Sequence, residues 1–280
     1  MIYTVTLNPA LDKTVELEDF KINKVNRTEK VRIDAGGKGI NVSRVINNLG
    51  GKTCALGILG GDSGRLILKK LTEENIQNSF LFTNTDTRTN LKIVDSKNGT
   101  YTDINENGVL EDISVIDELF YELLNKITAD DIVVLSGSLP NGADINTYQK
   151  WITVFKEKGI KVFFDADKLN LKSGLEASPY FVKPNLDEFS QLVNKNFMTL
   201  IDIRTKAQEL LKKGVKKVAI TMGEKGSVLV TQNGSYYAAP ISIEVKSTVG
   251  AGDSFVAARC TTASVRARLL CRIFADSVIQ

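Results

Sequence analysis

Histidine is absent from all 280 residues of the chain. Its absence removes Ser-His-Asp and Cys-His catalysis, His-ligated zinc and histidine as general base, so proton transfer must fall to Asp, Glu, Lys, Tyr or Cys. Cysteine is nearly as scarce. Cys54, Cys260 and Cys271 are odd in number and lack C-x-x-C spacing. They point to neither a disulfide framework nor a metal site, and they suit a reducing cytoplasm. No window approaches the roughly 20 apolar residues of a membrane span. Met1-Ile2-Tyr3-Thr4-Val5 enters a strand at once, with no basic start or apolar leader. The expectation is a cytoplasmic protein without a membrane partner. A large charge surplus is missing too. With 36 basic and 33 acidic residues the net charge is only +3, which argues against nucleic acid as partner and directs the search to basic residues around small phosphates.

What remains is an ordinary globular composition, 42% hydrophobic and 25% charged, in a chain long enough to bury one large domain. Short β-branched apolar runs at 2–7, 53–59, 131–136, 161–166, 179–183 and 216–222 read as strands buried on both faces. That pattern predicts an α/β fold with a largely parallel, doubly wound sheet flanked by helices. Helices are predicted over 38–49, with Val42, Val45, Ile46 and Leu49 inward, over 116–127, and around Tyr148, Trp151, Ile152 and Phe155. These stripes are assigned to the core. Residues 14–33 and 80–104 are strand-like but polar, and they predict an antiparallel flap over a sheet edge, a small β lid. Residues 259–280 form an abrupt break. They hold four arginines, against six in the preceding 258 residues, with two of the three cysteines and no Gly, Pro or Lys. We expect a single domain over 1–280 whose 259–280 segment is atypical, from truncation or a frameshift.

Chemistry concentrates in a few turns. Gly250-Ala251-Gly252-Asp253 opens an apolar helix. Small residues there let backbone N–H groups converge on an anion, helped by the positive helix N-terminus. An Asp repels a phosphate that is merely held, but it suits a hydroxyl that must lose a proton to attack one. Spacing alone leaves a helix cap open for Asp253. Gly36-Gly37-Lys38-Gly39-Ile40-Asn41 combines close backbone approach with a cation before a helix. Arg88, in Thr87-Arg88-Thr89-Asn90, offers a guanidinium fork for phosphate or a solvated loop charge. Asp12 can accept from vicinal hydroxyls or serve its turn. Asn185 and Glu188 share a helix face, to position Mg²⁺ through water or to form a capping box. Thr221, Gly223 and Gly226 leave another strand end, where α/β folds bind nucleotides. A Rossmann fingerprint fails because Phe255 stands where its third Gly belongs, and Gly51-Lys52-Thr53 fails as a P-loop because Ile46 replaces its first Gly.

Together and in this order, Thr6-Leu7-Asn8-Pro9-Ala10-Leu11-Asp12, Gly36-Gly37-Lys38-Gly39-Ile40-Asn41-Val42, Thr87-Arg88-Thr89-Asn90, Leu135-Ser136-Gly137-Ser138-Leu139-Pro140, Lys183-Pro184-Asn185 with Glu188, and Thr248-Val249-Gly250-Ala251-Gly252-Asp253 resemble the ribokinase-like (PfkB) carbohydrate kinases over residues 1 to about 258. The resemblance implies a doubly wound α/β domain with a β lid. It also implies ATP-dependent phosphorylation of a ketohexose phosphate, fructose-1-phosphate first and tagatose-6-phosphate as alternative. It implies Asp253 as base and the backbone of Gly250, Ala251 and Gly252 as anion hole. Sugar phosphate would bind at Asp12, Gly36, Gly37, Lys38, Asn41, Arg88, Asn90, Ser136, Gly137 and Ser138. ATP would bind at Lys183, Asn185, Thr221, Gly223, Gly226, Ser247 and Val249, with Mg²⁺ ordered by Glu188 through water. The altered tail leaves a non-catalytic sugar-phosphate binder as a rival, and a dinucleotide-dependent oxidoreductase is the weakest rival. A protruding lid offers a homodimer contact.

Overall fold

The computed structural model describes residues 1–196, 199–240 and 250–264. In chain order the elements are β1 (Ile2–Thr6), β2 (Ala10–Leu17), β3 (Lys30–Gly36), α1 (Lys38–Asn48), β4 (Thr53–Gly60), α2 (Gly61–Glu73), β5 (Asn78–Thr83), β6 (Thr89–Asp95) and β7 (Thr100–Asn105). There follow α3 (Ser114–Lys126), β8 (Ile132–Ser136), α4 (Thr147–Glu157), β9 (Lys161–Asp165), α5 (Lys168–Glu176), β10 (Phe181–Val182), α6 (Leu186–Val193) and α7 (Leu200–Lys212). The last are β11 (Lys217–Thr221), β12 (Ser227–Thr231), β13 (Gly234–Ala238) and α8 (Ala251–Ser264).

Among the described residues nine strands form the central sheet, in the order β13-β12-β11-β10-β9-β8-β1-β4-β5. All neighbours are parallel except β11–β12 and β12–β13. Alternate side chains leave each strand on opposite faces, and both faces are covered. Val133, Leu135 and Phe164 pack on one side with residues of α3 to α7, while Ile132, Val134 and Phe163 pack on the other with Val42 and Ile46 of α1 and Val256 and Cys260 of α8. Phe155, Phe163, Phe164 and Phe181 are essentially inaccessible to solvent, and such full burial contributes about 1.5–3 kcal/mol per side chain. Leu49 departs from its predicted inward position. It is the C-terminal cap of α1, where the stripe has run off the buried face, and it is 53% exposed.

The second sheet has four strands in the order β3-β2-β6-β7. It differs from the predicted flap in two ways. Its central pair, β2 and β6, is parallel, so the sheet is mixed rather than antiparallel. Residues 80–83 lie outside it. They belong to β5, which closes one edge of the central sheet against β4. An edge strand has one partner, so β5 tolerates Asn78 and Ser79 while Phe80 and Leu81 pack into the clusters on either face. The segment expected to be atypical, 259–280, begins inside α8, with Cys260 and Thr261 buried, and residues 265–280 lie outside the described residues. Among the described residues no helix is long and apolar enough to cross a membrane.

Candidate functional site

β1 pairs with β4 on one side and β8 on the other, so the chain reverses its direction of winding there. Ligands of open α/β sheets bind at such a switch point, beyond the carboxyl ends of the strands. Ser136, Asp165, Lys183 and Thr221 stand at or just beyond the ends of β8, β9, β10 and β11. The turn into α1 closes over the end of β1. There Thr6 Oγ1 accepts from Ile40 N at 3.1 Å. Gly37, at φ +121°, has a left-handed backbone that L side chains rarely adopt, and a Cβ on Gly36 would fall on the Asp12 carboxylate.

Asp253, in the first turn of α8, is buried at 6% exposure. Its Oδ2 accepts from Asn41 Nδ2 at 2.8 Å. Burial pushes its carboxyl above the ordinary aspartate range. The Asn41 hydrogen bond opposes this, the charge of Asp165 adds to it, and Lys38 and Lys183 pull the other way. Asp165 itself bridges two cations, Lys38 Nζ at 3.3 Å from Oδ1 and Lys183 Nζ at 3.2 Å from Oδ2. Lys183 and Asp165 are almost completely buried. A Cβ on Gly252 would lie 3.1 Å from Lys183 Nζ, so the helix start and this ammonium are in close approach. Burial by itself would lower the Lys38 pKa. The attraction of Asp165, Glu188 and Asp253 overcomes it, and Lys38 is held charged above its usual value.

Asp12, on β2 of the small sheet, accepts at Oδ1 from Nδ2 of its β6 neighbour Asn90 at 2.9 Å. Burial raises its carboxyl, against the Asn90 bond and the charges of Arg88 and Arg44, with Asp34 pushing upward. A cleft of about 650 Å³ runs under this sheet, lined by Asp12, Asn41, Arg44, Asn90 and Lys92 among others. Asn41 therefore belongs to both places, the cleft wall and the Asp253 carboxylate. Ser136 Oγ is buried without a hydrogen-bond partner, an unusual state for a buried hydroxyl and one that a ligand would relieve. Gly137 is at φ +95° beside Lys38, and Ser138 Oγ accepts from Asn8 Nδ2 at 3.1 Å.

Other sequence-named residues are differently employed. Arg88 is half-buried, and its guanidinium donates to the carbonyls of Asn8 (3.1 Å), Pro9 (3.3 Å) and Glu106 (2.9 Å) and to Asn90 Oδ1 (3.4 Å). It fastens the start of the small sheet to the end of β1. Asn185 and Glu188 form the capping box of α6: Glu188 N donates to Asn185 Oδ1 at 2.8 Å, and Asn185 N to Glu188 Oε2 at 2.7 Å. The Glu188 charge still acts on Lys38. Thr221 bridges to Asn185 across the sheet end, and Gly223 and Gly226 shape the tight turn from β11 to β12, with Met222 N donating to Gly226 O at 2.9 Å. Ser247 and Val249 lie outside the described residues. Sequence reasoning missed Asp165, whose only signal is an acid at the end of the apolar run Val162-Phe163-Phe164. It also missed Arg44, three residues after Asn41 on α1.

A doubly wound α/β sheet with a buried carboxylate at a helix start, lysines around it and a cleft under a β flap defines a small-molecule phosphotransferase that acts on an alcohol group. The chain belongs to the pfkB family carbohydrate kinases, whose family profile matches residues 5–263 and so runs past residue 258, where the resemblance was expected to end. It is similar to the 1-phosphofructokinase of Vibrio cholerae serotype O1, at 35% identity over 260 residues, covering 92% of this chain and 81% of that protein. The Bacillus subtilis 1-phosphofructokinase is also 35% identical over 260 residues, covering 92% and 84%. Among solved structures, Escherichia coli phosphofructokinase-2 in complex with substrates and products superimposes with a TM-score of 0.90 at 31% identity, covering 96% of this chain and 88% of that one.

Proposed function

We propose that the protein transfers the γ-phosphoryl group of ATP to the 6-hydroxyl of fructose-1-phosphate, giving fructose-1,6-bisphosphate and ADP, with Asp253 as general base. The observation that carries this reading is the Asp253 carboxylate itself. It is buried at a helix start, receives an oriented amide from Asn41 at 2.8 Å, and is faced by Lys38 and Lys183. A desolvated carboxylate with a raised pKa takes up a proton more readily than one in water, which is what a hydroxyl nucleophile requires. The two lysines supply positive charge where phosphoryl oxygens gather, and the Gly250–Gly252 backbone at the start of α8 supplies N–H donors. The names of the two 1-phosphofructokinase relatives support the choice of sugar phosphate.

In this reading Asp12 and Asn90, joined by their hydrogen bond, receive sugar hydroxyls. Arg88 supports the sugar-phosphate pocket mainly by seating the flap, since four of its guanidinium hydrogen bonds are already made within the protein. ATP extends over Lys183 and the Thr221–Gly226 turn. No group of three or more His, Cys, Asp or Glu able to hold a metal exists among the described residues. The donor set suits Mg²⁺ carried on the nucleotide phosphates, with Glu188 meeting one of its waters. When bound, that ion supplies neutralisation of phosphate charge. We also propose a cytoplasmic location, supported by the buried, unpaired Cys54 and Cys260. Pairing of two flaps through the edge strands β3 and β7 is proposed on their exposed Val31, Tyr101 and Ile104.

The test is ATP-dependent phosphorylation of a panel of ketohexose phosphates. Turnover of fructose-1-phosphate well above the others is expected. A clear preference for tagatose-6-phosphate would reassign the substrate. Calorimetric binding of sugar phosphate with no transfer to any acceptor would make the chain a binder instead of an enzyme.

A further inference from the structure

Arg44 lines the cleft but is not free to act as a simple cation there. Its Nε and Nη2 donate to Glu74 Oε2 and Oε1 at 2.6 and 3.2 Å, Nη2 donates to Ala35 O at 2.9 Å, and Nη1 donates to Asn41 Oδ1 at 2.9 Å. Glu74 is the C-terminal cap of α2. A carboxylate from one helix thus holds a guanidinium of a second, which holds an amide whose other end donates to Asp253 on a third. Both members of the Arg44–Glu74 pair are largely shielded, with side chains 26% and 35% exposed.

We propose that Arg44 is a positioning residue for phosphoryl transfer, fixing the Asn41 amide so that only its nitrogen can face Asp253. The proposal rests on the reading of Asp253 as base. An asparagine amide has a donor end and an acceptor end of nearly equal size. Left to itself it turns its nitrogen to a carboxylate but its oxygen to a protonated carboxyl, and so follows the protonation state of the base. With Oδ1 anchored on a guanidinium, a flip would set donor against donor at Arg44. The amide therefore favours the charged form of Asp253 alone. The charged groups facing Asp253 from the other elements are Lys38, Lys183 and Asp165. Arg44 makes no hydrogen bond to Asp253, so its hydrogen-bonded route to that carboxylate runs through Asn41, while its charge also lowers the Asp12 carboxyl.

The experiment measures kcat and KM against pH, with fructose-1-phosphate and ATP, for wild type, Arg44→Gln, Arg44→Lys, Glu74→Gln, Asn41→Ala and the Asn41→Ala/Arg44→Gln pair, with melting curves for each. Arg44→Gln should lower kcat by about 10–100-fold, the scale of one hydrogen bond to a charged group. It should also move the acid limb of kcat/KM to higher pH, with KM for ATP unchanged. Arg44→Lys should recover part of both effects, and Arg44→Gln should add little in the Asn41→Ala background. An unshifted acid limb, or full additivity with Asn41→Ala, would overturn the proposal. Should Arg44→Gln not fold, Glu74→Gln carries the test: a smaller shift of the same sign is expected, and an unmoved profile overturns it. Asp253→Asn separates the two readings. If it keeps near wild-type turnover the base assignment itself fails, whereas its inactivity with an unmoved Arg44→Gln profile defeats only the positioning role.

Discussion

Lys183 Nζ lies 3.2 Å from Asp165 Oδ2, and neither side chain is more than 5% exposed. This ion pair stands beneath the start of α8, and the same carboxylate holds Lys38 through its other oxygen. Removing one partner of a buried pair leaves an uncompensated charge, at a cost of about 3–5 kcal/mol. Asp165→Asn should therefore destabilise the protein by that amount in urea titration, and Asp165→Asn/Lys183→Met should recover part of the loss. A variant as stable as wild type would show that the lysine finds other relief.

Asp253→Asn should reduce kcat by about 10²–10⁴-fold, the scale of a lost general base, while calorimetry shows sugar-phosphate binding little changed. Its effect on stability has the opposite sign. The folded-state pKa of Asp253 is raised above 3.8, principally by burial. The folded protein therefore binds more protons than the unfolded chain between those two values, and stability falls as pH rises through that window. Asp253→Asn should melt higher than wild type at neutral pH, and the advantage should vanish below about pH 3.8. A melting point below wild type at neutral pH would contradict this sign.

Asp95, at the end of β6, accepts from the backbone N–H groups of Asp19, Phe20 and Asn98 and from Asn98 Nδ2. These hydrogen bonds hold its carboxyl down to about 2, the Asn98 side chain contributing most. A depressed aspartate contributes stability that is fully present above its unfolded value of about 3.8, and that is lost as pH falls through about 2. Hydrogen exchange should show the Asp19, Phe20 and Asn98 amides losing protection in that window, and at neutral pH in Asp95→Ala. Unchanged protection in the variant would remove Asp95 from its place as the anchor of this corner of the flap.

Arg88→Lys preserves charge but not the fork that reaches the Asn8, Pro9 and Glu106 carbonyls. Each carbonyl left without a donor costs roughly 1–3 kcal/mol where it stays dry. The variant should be less stable in urea and should raise KM for sugar phosphate more than KM for ATP. Wild-type stability with a raised sugar-phosphate KM would make Arg88 a ligand contact rather than a fastening of the flap.

The parts legible in the sequence are those governed by local pattern. Fully apolar runs such as Ile132–Leu135 and Val162–Phe164 announced strands buried on both faces, and both cover the two core layers. The turns around Gly36-Gly37 and Gly250-Ala251-Gly252-Asp253 were legible because close approach and helix starts restrict residue type over a few positions. β5 was not, since its residues Phe80–Thr83 run straight into the polar stretch Asn84-Thr85-Asp86-Thr87 and read by pattern as the start of the flap.

By itself, then, the sequence determined which groups are able to do the chemistry: without histidine it left proton transfer to Asp, Glu, Lys, Tyr or Cys, and it set Asp253 among small residues at a helix start. Tertiary structure alone decided their partners. Asn41 meets Asp253 across 212 residues and Lys38 meets Asp165 across 127, while Glu74 joins the same network through Arg44. Local periodicity reports whether a side chain is buried. Which charge it meets there depends on how distant strands and helices stack, and a buried carboxylate becomes a base, a bridge or an anchor only through those neighbours.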